Sequence, residues 1–494
     1  MIGFIVQFAL LFWFLFLPID YFYIFNTVCI ILAFFAFLDI INKNHPAEFK
    51  LPWLFTVLIF PVLGLFLYLT FANSRLSKRQ IRELVRARER IDQARLPVLN
   101  EKTVKDFLND DVGLENYLIS VNDSHGHLNN KITYLGSGEE FFDDLISSIN
   151  KAEKFVFLEY FVVAEGKIWS KLLSILLDKV RQGVEIRLIY DDIGSLGRVS
   201  TKFHKKLAKL GIECVKFNPF RPIMSGIHNN RDHRKIAVID GIIGYTGGIN
   251  LADEYANVTS PHGHWKDCAI KIEGSAVVDM TATFLLTFDS AKKQISDYKR
   301  YLHLKTPEYQ NQGYVHFFWD APKPFDNELV GENVFLNLIN SAKKRLLITT
   351  PYLVIDYTLQ TALRNASLRG VDVTIITPHI PDKKIVFNVT RSHYGKLMDA
   401  GVKIYEYTPG FMHSKTFVVD DQVAFIGTIN MDYRSLVHHF ECGAILYKTP
   451  CILDIVKDIE KTLEKSMRIN KDNFKMNKLA LLVNSMLAIF FPML

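Results

Sequence analysis

Apolar residues are concentrated in three uncharged segments at the amino terminus, 2–17, 21–38 and 51–72. At about 1.5 Å per residue, a helix over 51–72 is long enough to cross a hydrocarbon core about 30 Å thick, so we predict a transmembrane helix there. The segment 21–38 is a second candidate span. The segment 2–17 would be about 24 Å long, which fits a short span, a re-entrant piece or an interfacial helix. A cleaved signal peptide is the alternative, but no basic start and no small-residue cleavage site accompany it.

Beyond residue 130 the pattern changes to short apolar runs that alternate with amphipathic segments, and this order occurs twice. The first copy predicts a helix over 141–154, a strand over 155–163, a helix over 167–183 and a strand over 184–192. The second copy predicts the same elements over 334–344, 345–354, 358–370 and 371–378. Helices that alternate with buried strands indicate a mostly parallel sheet covered on both faces. The predicted fold class is therefore α/β, with a duplicated unit.

Each copy is followed by the same polar pattern at the same spacing. The first pattern consists of His233, Lys235, Asp240, Gly248 and Asn250. The second, 180 positions later, consists of His413, Lys415, Asp420, Thr428 and Asn430. The runs 235–240 and 415–420 predict short strands. Because side chains alternate along a strand, the His and the Lys of each pattern project from one face.

At 494 residues the chain exceeds a single hydrophobic core. We predict hydrophobic membrane helices over 1–74, a basic juxtamembrane linker over 75–130, a first half over 131–320 and a second half over 321–470. The remaining residues, 471–494, combine lysines with an apolar stretch over 479–494. That tail is expected to associate with the membrane as an interfacial helix or docked segment, and a buried terminal helix is an equal alternative.

The charge distribution predicts the orientation of the chain. Eight arginines and lysines lie between Arg75 and Arg95, against three acidic residues. Positive charge beside a span is retained on the cytoplasmic side, so the large carboxyl-terminal part is expected in the cytoplasm. The same cluster suits anionic lipid headgroups, with a nucleic-acid patch as the competing interpretation. The five cysteines show no metal-type or redox-type spacing, which fits a reducing compartment.

The residue types of the paired pattern suit an anionic, oxygen-rich transition state. One His can attack while the other protonates the leaving group, and Lys235, Lys415, Asn250 and Asn430 can bind phosphate oxygens, beside Gly248 and Thr428. Each His needs an acceptor that orients its ring, and Asp267 and Glu441 are the candidates. Asp240 and Asp420 either belong to the catalytic sets or fix the adjoining turns. A metal site is the chemical rival, suggested by His262, His264, His438 and His439. We expect neither metal nor cofactor, because the residue shared by both patterns is a lysine.

The two patterns resemble the paired HKD motifs of the phospholipase D superfamily, and the finer resemblance is to bacterial cardiolipin synthases. It extends over almost the whole chain. The residues that carry it are 61–64 with Tyr68, 190–195, 233–255, 265–267, 351–352, 413–441 and, within the last range, 432–435. Two departures are Thr428, where Ser is usual, and His439, where Asn commonly precedes Phe-Glu. The resemblance implies an α/β/α sandwich with two pseudo-symmetric halves, preceded by transmembrane helices.

The resemblance also implies a reaction in which two phosphatidylglycerols give cardiolipin and glycerol through a covalent phosphohistidine. His233 is the preferred nucleophile and His413 the acid and base. The implied partners are phosphatidylglycerol and anionic membrane lipids, not nucleic acid, and the oligomeric state is left open. The expected location is the bacterial plasma membrane, crossed more than once, with the catalytic part in the cytoplasm. A phospholipase D-type hydrolase, a membrane-tethered nuclease and a non-catalytic scaffold are the alternatives.

Overall fold

A computed structural model describes Trp13 and residues 18–43, 47–72, 76–96, 101–108, 112–122, 124–309, 313–323, 325 and 328–474. The chain divides into two compact units. One comprises Met1–Ser77, Pro219–Asn230 and Met476–Leu494, and the other comprises Lys78–Asn218 and Arg231–Lys475. We call them the apolar unit and the catalytic unit. The predicted segment 2–17, apart from Trp13, and the apolar stretch over 479–494 lie outside the described residues.

The described residues of the apolar unit form the helices α1 Ile19–Asn42, α2 Ala47–Ile59 and α3 Pro61–Phe71. Within the described residues, α1 alone is long and apolar enough to cross a membrane, at 24 residues and about 36 Å. The prediction of one transmembrane helix over 51–72 is wrong, because this segment is divided between α2 and α3. Of the two candidate spans that the structure describes, 21–38 and 51–72, only 21–38 lies within a helix of sufficient length.

The chain turns between α2 and α3 at Phe60 and Pro61. A proline disfavours helical geometry in the residue before it and has no N–H to continue a helix, so Pro61 begins α3. A Cβ on Gly64 would lie 2.1 Å from the carbonyl oxygen of Thr56, which shows that α3 folds back against α2. The three helices share a small core of Ala33, Ala36, Ile40, Val57, Leu65 and Tyr68. The segment is therefore a short helical hairpin.

The first sheet of the catalytic unit has seven strands in the order β1-β8-β6-β5-β2-β3-β4. Their bounds are β1 Asn130–Leu135, β2 Phe155–Tyr160, β3 Glu185–Asp191, β4 Glu213–Phe217, β5 Lys235–Ile239, β6 Ile243–Gly247 and β8 Ala269–Gly274. The helices of this part are α7 Gly138–Asn150, α8 Lys167–Arg181, α9 Phe203–Lys209, α10 Val277–Lys292 and α11 Tyr298–Leu302. The predicted helices and strands of this copy are confirmed with shifts of a few residues at their ends.

The second sheet has eight strands in the order β19-β13-β12-β10-β15-β16-β18-β9. Their bounds are β9 Tyr314–Asp320, β10 Arg345–Thr349, β12 Asp372–Pro378, β13 Lys403–Tyr407, β15 Thr416–Val419, β16 Val423–Gly427, β18 Glu441–Tyr447 and β19 Ser466–Ile469. The helices are α12 Val330–Ser341, α13 Tyr357–Leu368, α14 Lys384–Met398, α15 Tyr433–Val437 and α16 Cys451–Glu464. Short strands form two further pairs, β7 His264–Lys266 with β14 Gly410–Met412 and β11 Leu353–Val354 with β17 Met431–Asp432.

The prediction of mostly parallel sheets is wrong. Parallel pairing is limited to β2-β3-β4 in the first sheet and β10-β12-β13 in the second, and the other neighbours are antiparallel. The reason is that each motif strand returns through a tight turn, as in β5-β6 and β15-β16, and a tight hairpin pairs its strands antiparallel.

Side-chain alternation places helices on both faces of the first sheet. Val156, Leu158 and Tyr160 of β2 join the core formed with α7 and α8. The intervening Phe157 stacks on Phe284 of α10, with ring centroids 4.6 Å apart. The sheet is thus covered on both faces, as the pattern predicts.

The basic segment after the apolar helices forms α4 Lys78–Ala94, followed by α5 Glu101–Leu108 and α6 Val112–Asn122. Leu84, Ala87 and Ile91 of α4 are buried, and α4 packs against α10. Part of the positive charge of this basic segment is neutralised within the protein, because Arg95 forms an ion pair with Asp279 at 3.3 Å. The predicted linker is therefore part of the catalytic unit, with Lys78, Arg79, Arg82 and Arg86 left exposed.

Candidate active site

The two motifs begin at corresponding edges of the two sheets. Lys235 pairs with Tyr160 at the carboxyl end of β2, and Thr416 pairs with Thr349 at the carboxyl end of β10. Backbone bonds join the halves beside each histidine. The His233 N–H donates to the Phe440 carbonyl at 2.9 Å, and the His413 N–H donates to the Lys266 carbonyl at 2.7 Å. The first residue of each motif is thus fixed by the opposite half.

Each histidine is held by a carboxylate from the other half of the chain. His233 Nδ1 lies 2.9 Å from both carboxylate oxygens of Glu441, and His413 Nδ1 lies 2.6 Å from Asp267 Oδ2. Both carboxylates are fully buried. Because Nδ1 of each ring is engaged, Nε2 is the nitrogen available to a substrate. The structure thus brings together the four residues named from the sequence and pairs them crosswise.

The surroundings of the two carboxylates differ. Glu441 also accepts hydrogen bonds from the hydroxyls of Thr428 and Ser435. At the position of Thr428, the first half has Gly248, where a Cβ would lie 2.0 Å from Asp267 Oδ1. Gly248 therefore makes room for the shorter acid. Ser435 was not among the predicted site residues, although it follows Asn430 at the spacing at which Tyr255 follows Asn250.

Lys235 and Lys415 lie beside the histidines. Lys235 Nζ donates to the His233 carbonyl at 2.5 Å, and Lys415 Nζ donates to the His413 carbonyl and lies 3.0 Å from His413 Nδ1. Burial lowers the pKa of Lys235 to about 7 and that of Lys415 to about 8, although nearby carboxylates oppose the shift. An anion that enters the site would restore the full positive charge of both side chains.

Burial and the neighbouring lysines also favour neutral imidazoles. They hold the pKa of His233 well below its usual value and lower the pKa of His413 to about 4, against the opposing effect of Asp267. A neutral imidazole with its Nδ1 proton directed at a carboxylate has a free electron pair on Nε2. Such a ring can attack phosphorus or accept a proton.

Asn250 and Asn430 occupy equivalent positions but differ in their bonding. Asn250 Oδ1 accepts the Val162 N–H at 2.9 Å, and its amide donates to the Tyr255 hydroxyl at 2.7 Å. Asn430 Oδ1 is buried and accepts no hydrogen bond within the described part of the chain. The Asn250 side chain is thus committed to the protein, and that of Asn430 is the more available to a ligand.

Asp240 and Asp420 lie at the opposite ends of the motif strands from the lysines, about 16 Å along the strand from Lys235 in the first case. The Asp240 carboxylate accepts three backbone N–H groups at the start of β2, from residues 153–155, at 2.7–2.8 Å. Asp420 does the same for residues 343–345 at the start of β10. These hydrogen bonds favour the structural alternative, in which each carboxylate fixes the turn between a helix and the strand that follows it.

The aromatic surroundings of the histidines were not predicted. Phe161 and His439 pack against His233 with ring centroids 5.0 and 5.4 Å away, and Tyr255 and Trp265 pack against His413 at 5.3 and 5.1 Å. These rings come from different elements: Phe161 follows β2, Tyr255 lies in a 3₁₀ turn, Trp265 lies in the short strand β7, and His439 lies between α15 and β18. Hydrophobic periodicity carries no signal for their convergence on the histidines.

A cation fits this donor set poorly. His233, His439 and Glu441 have candidate ligand atoms within 4.8 Å of one another. However, both Glu441 oxygens already accept hydrogen bonds, and Lys235 and Lys415 add positive charge beside the same atoms. The described residues therefore form a site suited to an anion.

Comparison with known proteins gives the same assignment for both halves. The family model described as cardiolipin synthase, PLD-like domain, matches residues 145–277 and 335–467, and the phospholipase D-nuclease N-terminal model matches residues 31–73. The chain is 34% identical over 447 residues to a cardiolipin synthase of Alkalihalophilus pseudofirmus, covering 90% of this chain and 88% of that protein. An uncharacterized protein of Streptococcus mutans is 40% identical over 450 residues, with coverage of 90% and 96%.

The structural comparison concerns the fold alone. The crystal structure of phosphatidylserine synthase from Haemophilus influenzae is similar with a TM-score of 0.58 at 16% identity, covering 77% of this chain and 97% of that one. The duplicated α/β fold with two related halves is thus found in a solved structure. With two repeats of the family model and relatives that align over most of their length, the chain belongs to the cardiolipin synthase family of phospholipase D-like proteins.

Proposed function

We propose that the chain is a phosphatidyltransferase that converts two phosphatidylglycerols into cardiolipin and glycerol. The observation that carries this proposal is the crossed pair of buried His–carboxylate contacts, His233 with Glu441 and His413 with Asp267, flanked by two lysines. Family membership supports the choice of substrate. No step requires a metal or a nucleotide.

In the first step, His233 Nε2 attacks the phosphorus of one phosphatidylglycerol. A P–N bond forms, the P–O bond to the headgroup glycerol breaks, and the glycerol oxygen takes a proton from the His413 imidazolium. Glu441 holds the Nδ1 proton of His233 and stabilises the positive charge of the phosphorylated ring. Asp267 does the same for His413, whose pKa of about 4 is raised when an anionic phosphodiester binds beside it.

In the second step, neutral His413 removes the proton from a terminal hydroxyl of the second phosphatidylglycerol. The resulting oxygen attacks phosphorus, the P–N bond breaks, and His233 is regenerated with His413 protonated. Lys235, Lys415 and Asn430 bind the non-bridging oxygens in both steps. Asn250 acts by positioning the residues around it. The burial of the two histidines limits access of water, which would otherwise give phosphatidic acid.

The proposed location is the bacterial plasma membrane, with α1 crossing the bilayer and the catalytic unit in the cytoplasm. The exposed basic residues of α4 support this side of the membrane. Among the described residues, a second helix long enough to span is lacking, so a multi-pass topology has no support.

The test of the function is a lipid product assay with the purified full chain in phosphatidylglycerol vesicles, without added metal or nucleotide. The expected products are cardiolipin and glycerol in equal amounts, with activity lost in His233→Ala and His413→Ala and kept in His303→Ala, an exposed histidine at the end of α11. Phosphatidic acid as the main product, or cleavage of nucleic acid alone, would contradict the proposal.

A further inference from the structure

A twelve-residue loop between β4 and β5 connects the catalytic fold to the apolar helices. The loop is Pro219–Asn230, and it packs with the apolar unit although both of its ends continue into the catalytic unit. Its 3₁₀ turn, Gly226–Asn229, contacts α3 of the apolar hairpin. His233 is the third residue after the end of this loop.

The ends of the loop are fixed by Arg231. Its Nη2 donates to the Asn218 carbonyl at 2.6 Å, which closes the loop at its base, and Nη1 lies 3.4 Å from Asp191. The Phe440 N–H donates to the Arg231 carbonyl at 2.8 Å, next to the bond between His233 and Phe440. The base of the loop is therefore built into the same backbone that holds the proposed nucleophile.

The loop is stabilised by its own contacts. The Ser225 hydroxyl accepts the Ile227 N–H, His228 Nε2 donates to the Ile223 carbonyl at 3.1 Å, and the rings of Phe220 and His228 are 5.3 Å apart. A compact surface loop with adjacent ends that packs on itself is an Ω-loop, a form that commonly carries function.

The tip of the loop combines apolar and basic side chains. Phe220 is 41% exposed, Ile223 is 37% exposed, and Arg221 between them is also exposed. Pro219 and Pro222 restrict the backbone here and reduce the entropy lost on binding. Large apolar side chains beside an arginine suit the boundary between acyl chains and anionic headgroups.

We infer that Pro219–Asn230 is a lipid-contacting loop, which inserts Phe220 and Ile223 among acyl chains and binds a lipid phosphate through Arg221. Its occupant is the interface of an anionic phospholipid bilayer. The continuity of the loop with the apolar helices supports this occupant over a protein partner. The inference rests on the proposed function, because a lipid substrate must reach His233. The contact between the loop and the bilayer can still be measured without turnover.

The direct test uses the full chain reconstituted in phosphatidylglycerol vesicles, with an environment-sensitive fluorophore on Ile223→Cys. The matched control is Ile295→Cys, at a position that is 66% exposed. The hydroxyl of the adjacent Ser296 accepts a hydrogen bond from Arg187, which places this position near the amino end of β3. Quenching of the probe at position 223 by lipids that carry a quencher on the acyl chain is expected, with little quenching at 295. Equal and weak quenching at both positions would overturn the inference.

The functional test compares two substrates in the Phe220→Ser/Ile223→Ser double variant. Because the contact acts on bilayer lipid, kcat/KM for vesicle phosphatidylglycerol is expected to fall roughly tenfold, with a water-soluble short-chain phosphatidylglycerol nearly unaffected. Equal loss on both substrates indicates damage to the fold and contradicts a lipid-specific role. If neither substrate gives cardiolipin with the parent protein, the proposed function fails, whereas the quenching result still decides the loop.

Discussion

At the scale of single residues, the site is defined by two lysines whose charge depends on what is bound. The pKa of Lys235 is about 7 and that of Lys415 about 8, because both side chains are buried. Both groups therefore lose protons as the pH rises through 7 and 8, and a bound anion opposes that loss. Anion binding is accordingly coupled to proton uptake.

We predict that sulfate, which does not titrate in this range, inhibits the enzyme more weakly at high pH. Between pH 7 and pH 9 the inhibition constant is expected to rise about tenfold or more, because the lysines must be protonated to bind the anion. Lys415→Arg keeps its charge over the whole range and is expected to weaken this dependence to the part that Lys235 contributes. An inhibition constant that is the same at pH 7 and pH 9 in the parent protein would show that the lysines are already charged.

The sequence predicts the identities of these residues well and their differences poorly. The repeated spacing identifies Asn250 and Asn430 as equivalents, yet the Asn250 amide is bound to Val162 and Tyr255, whereas the buried Asn430 oxygen has no hydrogen-bond partner among the described residues. The neighbours that cause this difference lie outside the repeated positions. A motif shared by two halves therefore predicts which residue types are present. The packing around each motif decides which of the two asparagine side chains remains available to a ligand.

At the scale of elements, Asp240 and Asp420 show how the fold fixes its own motif strands. Both have positive φ, 53° and 50°, and both accept three backbone N–H groups at the start of the neighbouring strand. Asp and Asn tolerate this left-handed conformation better than most residues. The carboxylate thus joins the turn after one strand to the beginning of another.

We predict that Asp240→Asn lowers stability by about 1–3 kcal/mol and leaves the turnover of the folded enzyme nearly unchanged, because hydrogen bonds to a charged acceptor are lost far from the histidines. The control is Asp421→Asn, which lies next to the equivalent Asp420 of the second half, with φ 55° and a weak pair with Arg345 at 3.8 Å. Its expected effect is below about 0.5 kcal/mol. Thermal unfolding and specific activity check both variants, and a loss of turnover without a loss of stability would assign Asp240 to the chemistry.

The apolar segments show where an element-level prediction fails. Hydropathy over 51–72 is continuous, so length and composition predict one span. The structure divides it because Pro61 starts a new helix and Gly64 allows close approach to Thr56. Hydropathy is insensitive to both effects, since one concerns backbone geometry and the other the absence of a side chain.

At the scale of the whole molecule, the duplication is visible in the sequence, but the exchange of partners between the halves is not. Asp267 and Glu441 each follow the motif of their own half, and spacing alone gives no reason to pair them with the opposite histidine. The exchange arises because β7 pairs with β14 and the chain before β5 bonds to Phe440. Neither half contains a complete site.

We predict that each histidine functions together with the carboxylate from the opposite half of the chain. A phosphatidyl ester of p-nitrophenol has a leaving group that needs no protonation, so its first step requires the nucleophile and the carboxylate that orients it. With His233 as nucleophile, Asp267→Asn and His413→Ala are expected to release one equivalent of p-nitrophenolate in a burst and then stop. Glu441→Gln is expected to slow the burst at least about a hundredfold, because the ring it orients is the attacking group.

The pairing is decided by which carboxylate variant shows the same burst behaviour as which histidine variant. If His413 is the nucleophile, the burst is lost in Asp267→Asn and kept in Glu441→Gln, and the crossed pairing still holds. If instead Asp267→Asn behaves like His233→Ala, the pairs lie within the halves and the crossed contacts seen here are not those of the working enzyme. Acid-labile label retained on the chain after the burst identifies the phosphohistidine, and its absence in the matching His→Ala variant assigns the residue. One measurement thus tests both the architecture and the identity of the nucleophile.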